Sequence, residues 1–302
     1  MQLKQFLIGL ICVGSTATAL AATFTAPMET TRWQVDASVF ACKLYQPVAL
    51  YGEAVFLRPA GETQRFYLQE SNRQLGAGEV QVHTHSPLWQ SLHHSRHLDT
   101  FSTTDSEQPL ALDWQQSQRL ISQLQAGQQL SFSHTSWYDS HESVEVMLAP
   151  IRFRAAFAEY QTCLQNLLPV NYAQIHRSTV SFATAGDEFN DDQRELMDNL
   201  VRYVLADSYV TGLMIDGHTD GQGLRADNLE LSKRRAESVY QYIIERGVPE
   251  QLVTLRWHGE RYPIASNRTP EGRAENRRVT IRVDRFEPDP AQMAARSGSD
   301  QP

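Results

Sequence analysis

The sequence contains no uninterrupted apolar run of the roughly 18 residues that a membrane helix needs, so no span is expected in the mature chain. Cysteine is scarce, at 3 of 302 residues. Cys12 follows the large residue Ile11, which excludes a lipoprotein box. Positive charge is in deficit: 27 Lys and Arg stand against 35 Asp and Glu, a formal net charge of −8. That balance disfavours nucleic acid as a partner, because phosphate backbones are held by clustered basic side chains. No internal repeat is present, which argues against a solenoid. There is no His-Glu-x-x-His pair and no nucleophile elbow, so no enzyme and no cofactor are expected.

What is present begins with an export signal. Met1-Gln2-Leu3-Lys4, apolar Phe6 to Val13 and Ala19-Leu20-Ala21 read as a signal peptide spanning 1–21, with cleavage expected after Ala21. The mature chain is then expected to be soluble in an oxidising compartment, with Cys42 and Cys163 left. They allow one internal disulfide, against a free pair or an intermolecular bond. The length favours two domains, and a hydrophobic fraction of 41% suffices for real cores.

Residues 22–169 are expected to form a β-rich N-terminal domain with helical caps. Trp33, Val35, Ala37 and Val39 alternate with polar residues, as a half-buried strand does. Further strands are expected over 50–57, 64–69, 79–83, 129–133 and 143–148. Leu112, Ser117, Leu120, Ile121 and Leu124 predict one helix, ended by Gly127. Phe153, Ala156, Phe157, Tyr160, Leu164 and Leu167 predict a second, ended by Pro169, with Cys163 on its apolar side. A linker is expected near 168–172.

Residues 173–284 read as an α/β domain in the order β-α-β-α-β, which makes the whole chain α+β. Strands are expected over 175–182, 210–215, 253–257 and 278–283, with helices over 190–205 and 228–246. In the second helix Ala236, Val239, Tyr240, Ile243 and Ile244 give the amphipathic stripe. Asp227 and Glu230 have the spacing of a capping box, and Gly247 with Pro249 stops the helix. Asn228, Ser232 and Arg235 share one face, expected beside the apolar stripe. The strand over 210–215 delivers Asp220 into a Gly-rich loop, so a loop carboxylate and a helical guanidinium are expected to face each other. From 285 to 302, Glu287-Pro288-Asp289-Pro290 and the Ser/Gly/Asp ending read as a disordered tail.

These residues also carry a resemblance. Thr219-Asp220, Leu231-Ser232, Arg235-Ala236, Val239 and then Gly272-Arg273-Ala274-Glu275-Asn276-Arg277-Arg278-Val279 resemble the OmpA-like peptidoglycan-binding domain. The resemblance implies a non-catalytic grip on cell wall. The carboxylate at Asp220 would hold the ammonium of the stem peptide's diamino acid, and the guanidinium at Arg235 its carboxylate. Charge-assisted, bidentate bonds suit that task. Thr219, Asn228, Asn276 and Arg277 would complete the pocket. His218 reads as a loop histidine bonded to backbone, and the basic run Arg273, Arg277, Arg278 on its own as a solvated strand end.

A looser resemblance covers the N-terminal half. Trp33, Cys42-Lys43-Leu44 with Pro47, Gly52-Glu53-Ala54-Val55-Phe56, Gly61, Phe66, Trp137 and Cys163-Leu164 are similar to the amino-terminal domain of the MotY family. It implies a periplasmic member of a ring at the flagellar basal body, with a MotX-like ring protein as partner. It further implies support for assembly of a PomA/PomB-type stator, with the C-terminal domain tying the ring to the wall.

Two other readings compete. An OmpA-like linker of another envelope machine keeps the wall pocket and drops the flagellar partner. A metal-dependent wall hydrolase would use His83, His85, His93, His94 and His97. His83 and His85 would share a strand face, and His93 and His97 a helix face, although Pro87 and the Ser/His/Asp mix argue for a loop. No metal is expected.

Overall fold

The computed structural model describes residues 21–25, 31–71, 75–86, 94–104, 106, 108–136 and 143–286. The expected signal segment lies outside the described residues except for Ala21, which opens a strand. Trp137, His93 and the tail from residue 287 also lie outside them.

Ten strands and two helices come first: β1 (Ala21–Thr25), β2 (Gln34–Ala37), β3 (Ala41–Val48), β4 (Gly52–Pro59), β5 (Arg65–Glu70), β6 (Leu75–His85), β7 (Ser95–Thr103), β8 (Leu110–Leu112), α1 (Trp114–Gln125), β9 (Gln129–Ser136), β10 (Ser143–Leu148) and α2 (Phe153–Asn166). They build two five-stranded sheets, in the orders β1-β10-β9-β6-β7 and β2-β3-β4-β5-β8. Then follow α3 (Tyr172–Ile175), β11 (Arg177–Ser181), α4 (Asp191–Ala206), β12 (Val210–Gly217), α5 (Arg225–Glu245), a 3-10 turn Glu250–Leu252, β13 (Val253–Trp257), α6 (Pro270–Asn276) and β14 (Arg278–Arg285). Their four-stranded sheet has the order β11-β14-β12-β13. The expected β-α-β-α-β order holds, with α3 and α6 added.

Two compact units divide the described chain. One takes residues up to Val35, Lys43–Leu57 and Gln64–Glu159; the other takes Asp36–Cys42, Arg58–Thr63 and the chain from Tyr160 onward. In the first, an aromatic ladder fills the core: Trp33 lies 5.0 Å from Phe153, Phe56 4.8 Å from Phe66, and Phe66 5.6 Å from Phe132. Trp33 Nε1 and Gln46 Nε2 both donate to Ala149 O, so the buried donors of these two side chains are paired. Asp113 and Gln116 close a reciprocal capping box at the start of α1.

The strand expected over Trp33–Val39 ends at Ala37, because Ser38 Oγ accepts from Phe40 N and Ala41 N and turns the chain. β1, β3, β7 and β8 lie outside the expected strands. His97 lies on β7 rather than on a helix, opposite His83 in register, with the two rings 5.2 Å apart.

In the second unit, α4 and α5 bury Met197, Leu200, Val239 and Ile243 against Val180, Ile215, Val279 and Ile281 of the sheet. The expected linker at 168–172 is instead held. Leu168 N donates to Val39 O, Asn171 caps α3, and Gln174 Nε2 donates to Gly61 O. Cys42 and Cys163 form the internal disulfide, inside this same unit. The final strand reaches Arg285, one residue into the stretch expected as tail.

Candidate functional site

β12 is a central strand, pairing antiparallel with β14 and parallel with β13. It ends at Gly217, where a side chain is impossible: a Cβ there would lie 2.1 Å from Ser232 O of α5. This close approach presses α5 onto the loop that follows. His218, Thr219 and Asp220 are all buried as a result.

α5 does not begin as expected. Its N-cap is Leu224, with no side-chain bond, so Asp227 and Glu230 form no capping box. Asn228, Ser232 and Arg235 do share a face, but that face is buried rather than beside the apolar stripe. Ser232 Oγ accepts from Gly259 N at 2.9 Å and Asn228 Nδ2 donates to Glu260 Oε2 at 2.6 Å, fastening α5 to the 258–260 turn.

Arg235 has no exposed surface. Its Nε donates to Gly186 O, Nη1 to His218 O and Nη2 to Ala183 O, at 2.8, 3.3 and 2.9 Å. Its guanidinium also stands 5.2 Å from the Phe182 ring. A guanidinium carries five N–H donors, so these three bonds leave one hydrogen on each Nη beyond them. Burial, with Arg277 beside it, lowers its pKa to about 10, which keeps the charge at neutral pH.

Asp220 faces Arg277 more directly than Arg235. Arg277 Nη1 donates to Asp220 Oδ2 at 3.0 Å, Gln222 N donates to Oδ1, and Arg277 Nε holds Phe182 O. Asn276 is fully enclosed and fully bonded. Its Oδ1 accepts from Ile264 N and Ala265 N, and its Nδ2 donates to Ala265 O and Asn267 Oδ1. Asn267 Oδ1 in turn accepts from Gly221 N, so Asn276 shapes the loop beside Asp220 at one remove. Thr219 is held by its backbone N on Gly259 O. Arg278 is buried, and Arg277 is shielded as well, so two arginines of the expected solvated run are enclosed.

His218 departs from expectation too. Its Nδ1 has no partner among the described residues, and its ring stacks on His258 at 5.1 Å. Burial, then Arg278 and His258, push its pKa down to about 4. His258 Nε2 meets Asp216 Oδ1 at 2.8 Å, and Arg256 grips both oxygens of Asp216. Burial raises the Asp216 pKa, but the bonds from Arg256 and His258 outweigh it and the net shift is downward.

The residues named from sequence thus converge, with two guanidinium groups around one carboxylate. Such a constellation suits a zwitterion, its carboxylate drawn to the arginines and its ammonium to Asp220. Sequence reasoning missed the carbonyls of Phe182, Ala183 and Gly186, which bear no side-chain signal. It missed Asn267 as well, whose role depends on a loop fold that spacing does not show.

Residues 24–169 match the MotY N-terminal domain and residues 181–277 the OmpA family. The sodium-type flagellar protein MotY of Vibrio parahaemolyticus is 25% identical over 268 residues, covering 87% of this chain and 90% of that protein. The outer-membrane lipoprotein YfiB of Pseudomonas aeruginosa is 40% identical over 106 residues, which are 35% of this chain and 62% of that protein. This chain therefore spans less than two thirds of that relative. Among solved structures, the C-terminal domain of Helicobacter pylori MotB gives a TM-score of 0.34 at 24% identity, over 41% of this chain and 98% of that one.

Proposed function

We propose, for a chain that joins a MotY N-terminal domain to an OmpA family domain, a non-catalytic periplasmic anchor of the flagellar motor. The C-terminal unit grips peptidoglycan, and the N-terminal unit joins the ring at the basal body with a MotX-like partner. In that place the protein supports assembly of a PomA/PomB-type stator. The domains of this reading are 22–169 and 173–284, after a signal peptide removed near Ala21.

The observation that carries the reading is the enclosed carboxylate of Asp220 between Arg277 and Arg235. The ammonium of a stem-peptide diamino acid takes the remaining lone pairs of Asp220, and its carboxylate is drawn towards the charge of Arg235. Thr219 and Asn228 border this pocket, while Asn276 and Arg277 hold its walls. A stationary motor part has to resist torque, and the cross-linked wall is the stiff body that such a grip reaches.

Co-sedimentation of the exported protein with purified sacculi tests this. The parent protein is expected to pellet and Asp220→Ala to stay in the supernatant. Equal pelleting of both refutes the pocket.

A further inference from the structure

The N-terminal unit carries a cleft of its own, with a volume of about 510 Å³, between the end of α1 and the start of α2. That volume lies within the roughly 300–1,000 Å³ of ordinary binding clefts. Its floor is apolar and fixed: Leu124 and Phe153 are buried, and Pro150 and Ile151 line one side. The mouth is kept open by small residues. Ala126 and Ala155 are exposed, and a Cβ on Gly127 would meet nothing within 4 Å.

Two exposed arginines, Arg152 and Arg154, stand among the lining residues. Among the described residues neither pairs with a carboxylate; Arg154 Nε donates to Gln125 O, which fixes that side chain beside the cleft. The first turn of α2 holds no acidic residue, so the positive end of that 14-residue helix adds to the same field. A positive patch on a chain of net charge −8 is a local arrangement rather than a general property of the surface.

We propose that this cleft docks a segment of a partner polypeptide presenting one large apolar side chain flanked by carboxylates. The side chain fills the floor over Leu124 and Phe153, and the carboxylates meet Arg152 and Arg154. Apolar burial supplies the affinity, while the charges select the partner and set the approach. This site is independent of the wall-binding pocket.

The probe is a dye-labelled peptide in which leucine and phenylalanine alternate with glutamate, with a control carrying lysine in place of glutamate. Fluorescence anisotropy with the full exported chain is expected to show binding of the acidic peptide alone, weakening as salt rises. Ala155→Trp, which fills the mouth, and Arg154→Glu, which reverses a charge, should each weaken binding by about tenfold or more. Arg154→Glu places a carboxylate in the first turn of α2, where it favours the helix, so an unchanged melting curve separates lost docking from lost fold. Both variants should still pellet with sacculi, which distinguishes failure here from failure of the wall anchor. Equal binding of the lysine peptide, or unaltered binding by both variants, overturns the proposal. So does self-association of the chain in analytical ultracentrifugation that the variants abolish, which would assign the cleft to a second copy.

Discussion

Arg277 and Asp220 lie 57 positions apart and meet at 3.0 Å, with only 15% and 8% of their side chains exposed. A pair so enclosed is costly to break, because the survivor keeps an uncompensated charge. Arg235 makes the balance sharper, since its cation is buried nearby and is held by carbonyls rather than by a carboxylate of its own. Asp220 is therefore the near counter-charge of two arginines.

Arg235→Lys keeps the charge and removes the fork. One ammonium cannot reach Ala183 O, Gly186 O and His218 O together, so stability should fall by about 2–3 kcal/mol. Denaturant unfolding reads the loss, and sacculus pelleting should fall with it. A lysine variant as stable and as well retained as the parent would sink the assignment.

Gly217→Ala is a test of the close approach between β12 and α5. A Cβ only 2.1 Å from Ser232 O forces backbone to move, with an expected cost of about 3 kcal/mol. Thermal melting should drop and wall binding should weaken, because the loop bearing Asp220 starts one residue later. Normal melting would show that α5 yields without cost.

Acid should destabilise the protein partly through His218. The unfolded side chain titrates near the ordinary 6.5 and the folded one at about 4, so the unfolded chain takes up the proton first. The contribution is complete above about pH 6.5 and is lost as the pH falls towards 4. His134, lowered by burial, and His83, lowered by burial and by His97, act in the same direction. His218→Phe, which keeps a neutral ring against His258, should flatten the melting-temperature profile between pH 6.5 and 4. An identical slope in parent and variant would remove His218 from the account.

Replacing both cysteines, as Cys42→Ser with Cys163→Ser, opens a loop of 121 positions. Chain entropy puts the loss at about 4–5 kcal/mol, or a melting temperature lower by on the order of 10 °C. Scanning calorimetry of the double variant measures it. A melting temperature within a degree or so of the parent would show that the bridge constrains little.

Much of the C-terminal unit was legible in the sequence because its elements are long and periodic. α4, α5, β12 and β13 fall within a few residues of their expected bounds. α3 and α6 escaped because four and seven residues are too few to show a stripe, although Thr269 before Pro270 is a readable helix start. β3 was hidden by Gln46 at an inward position and Pro47 within the run. The buried face of α5 misled for a related reason. Asn228, Ser232 and Arg235 read as polar and hence outward, whereas tertiary hydrogen bonds turn them inward. The site residues themselves stood out through their spacing, but the carbonyls and loop amides that hold them do not.

The chain passes between its two compact units five times, at residues 35/36, 42/43, 57/58, 63/64 and 159/160, with the Cys42–Cys163 bond beside two of those passages. A single linker would leave each unit as one unbroken segment, separable by one cut. Five passages mean that neither unit is a contiguous stretch of sequence, so no single cut in the chain releases one unit whole from the other.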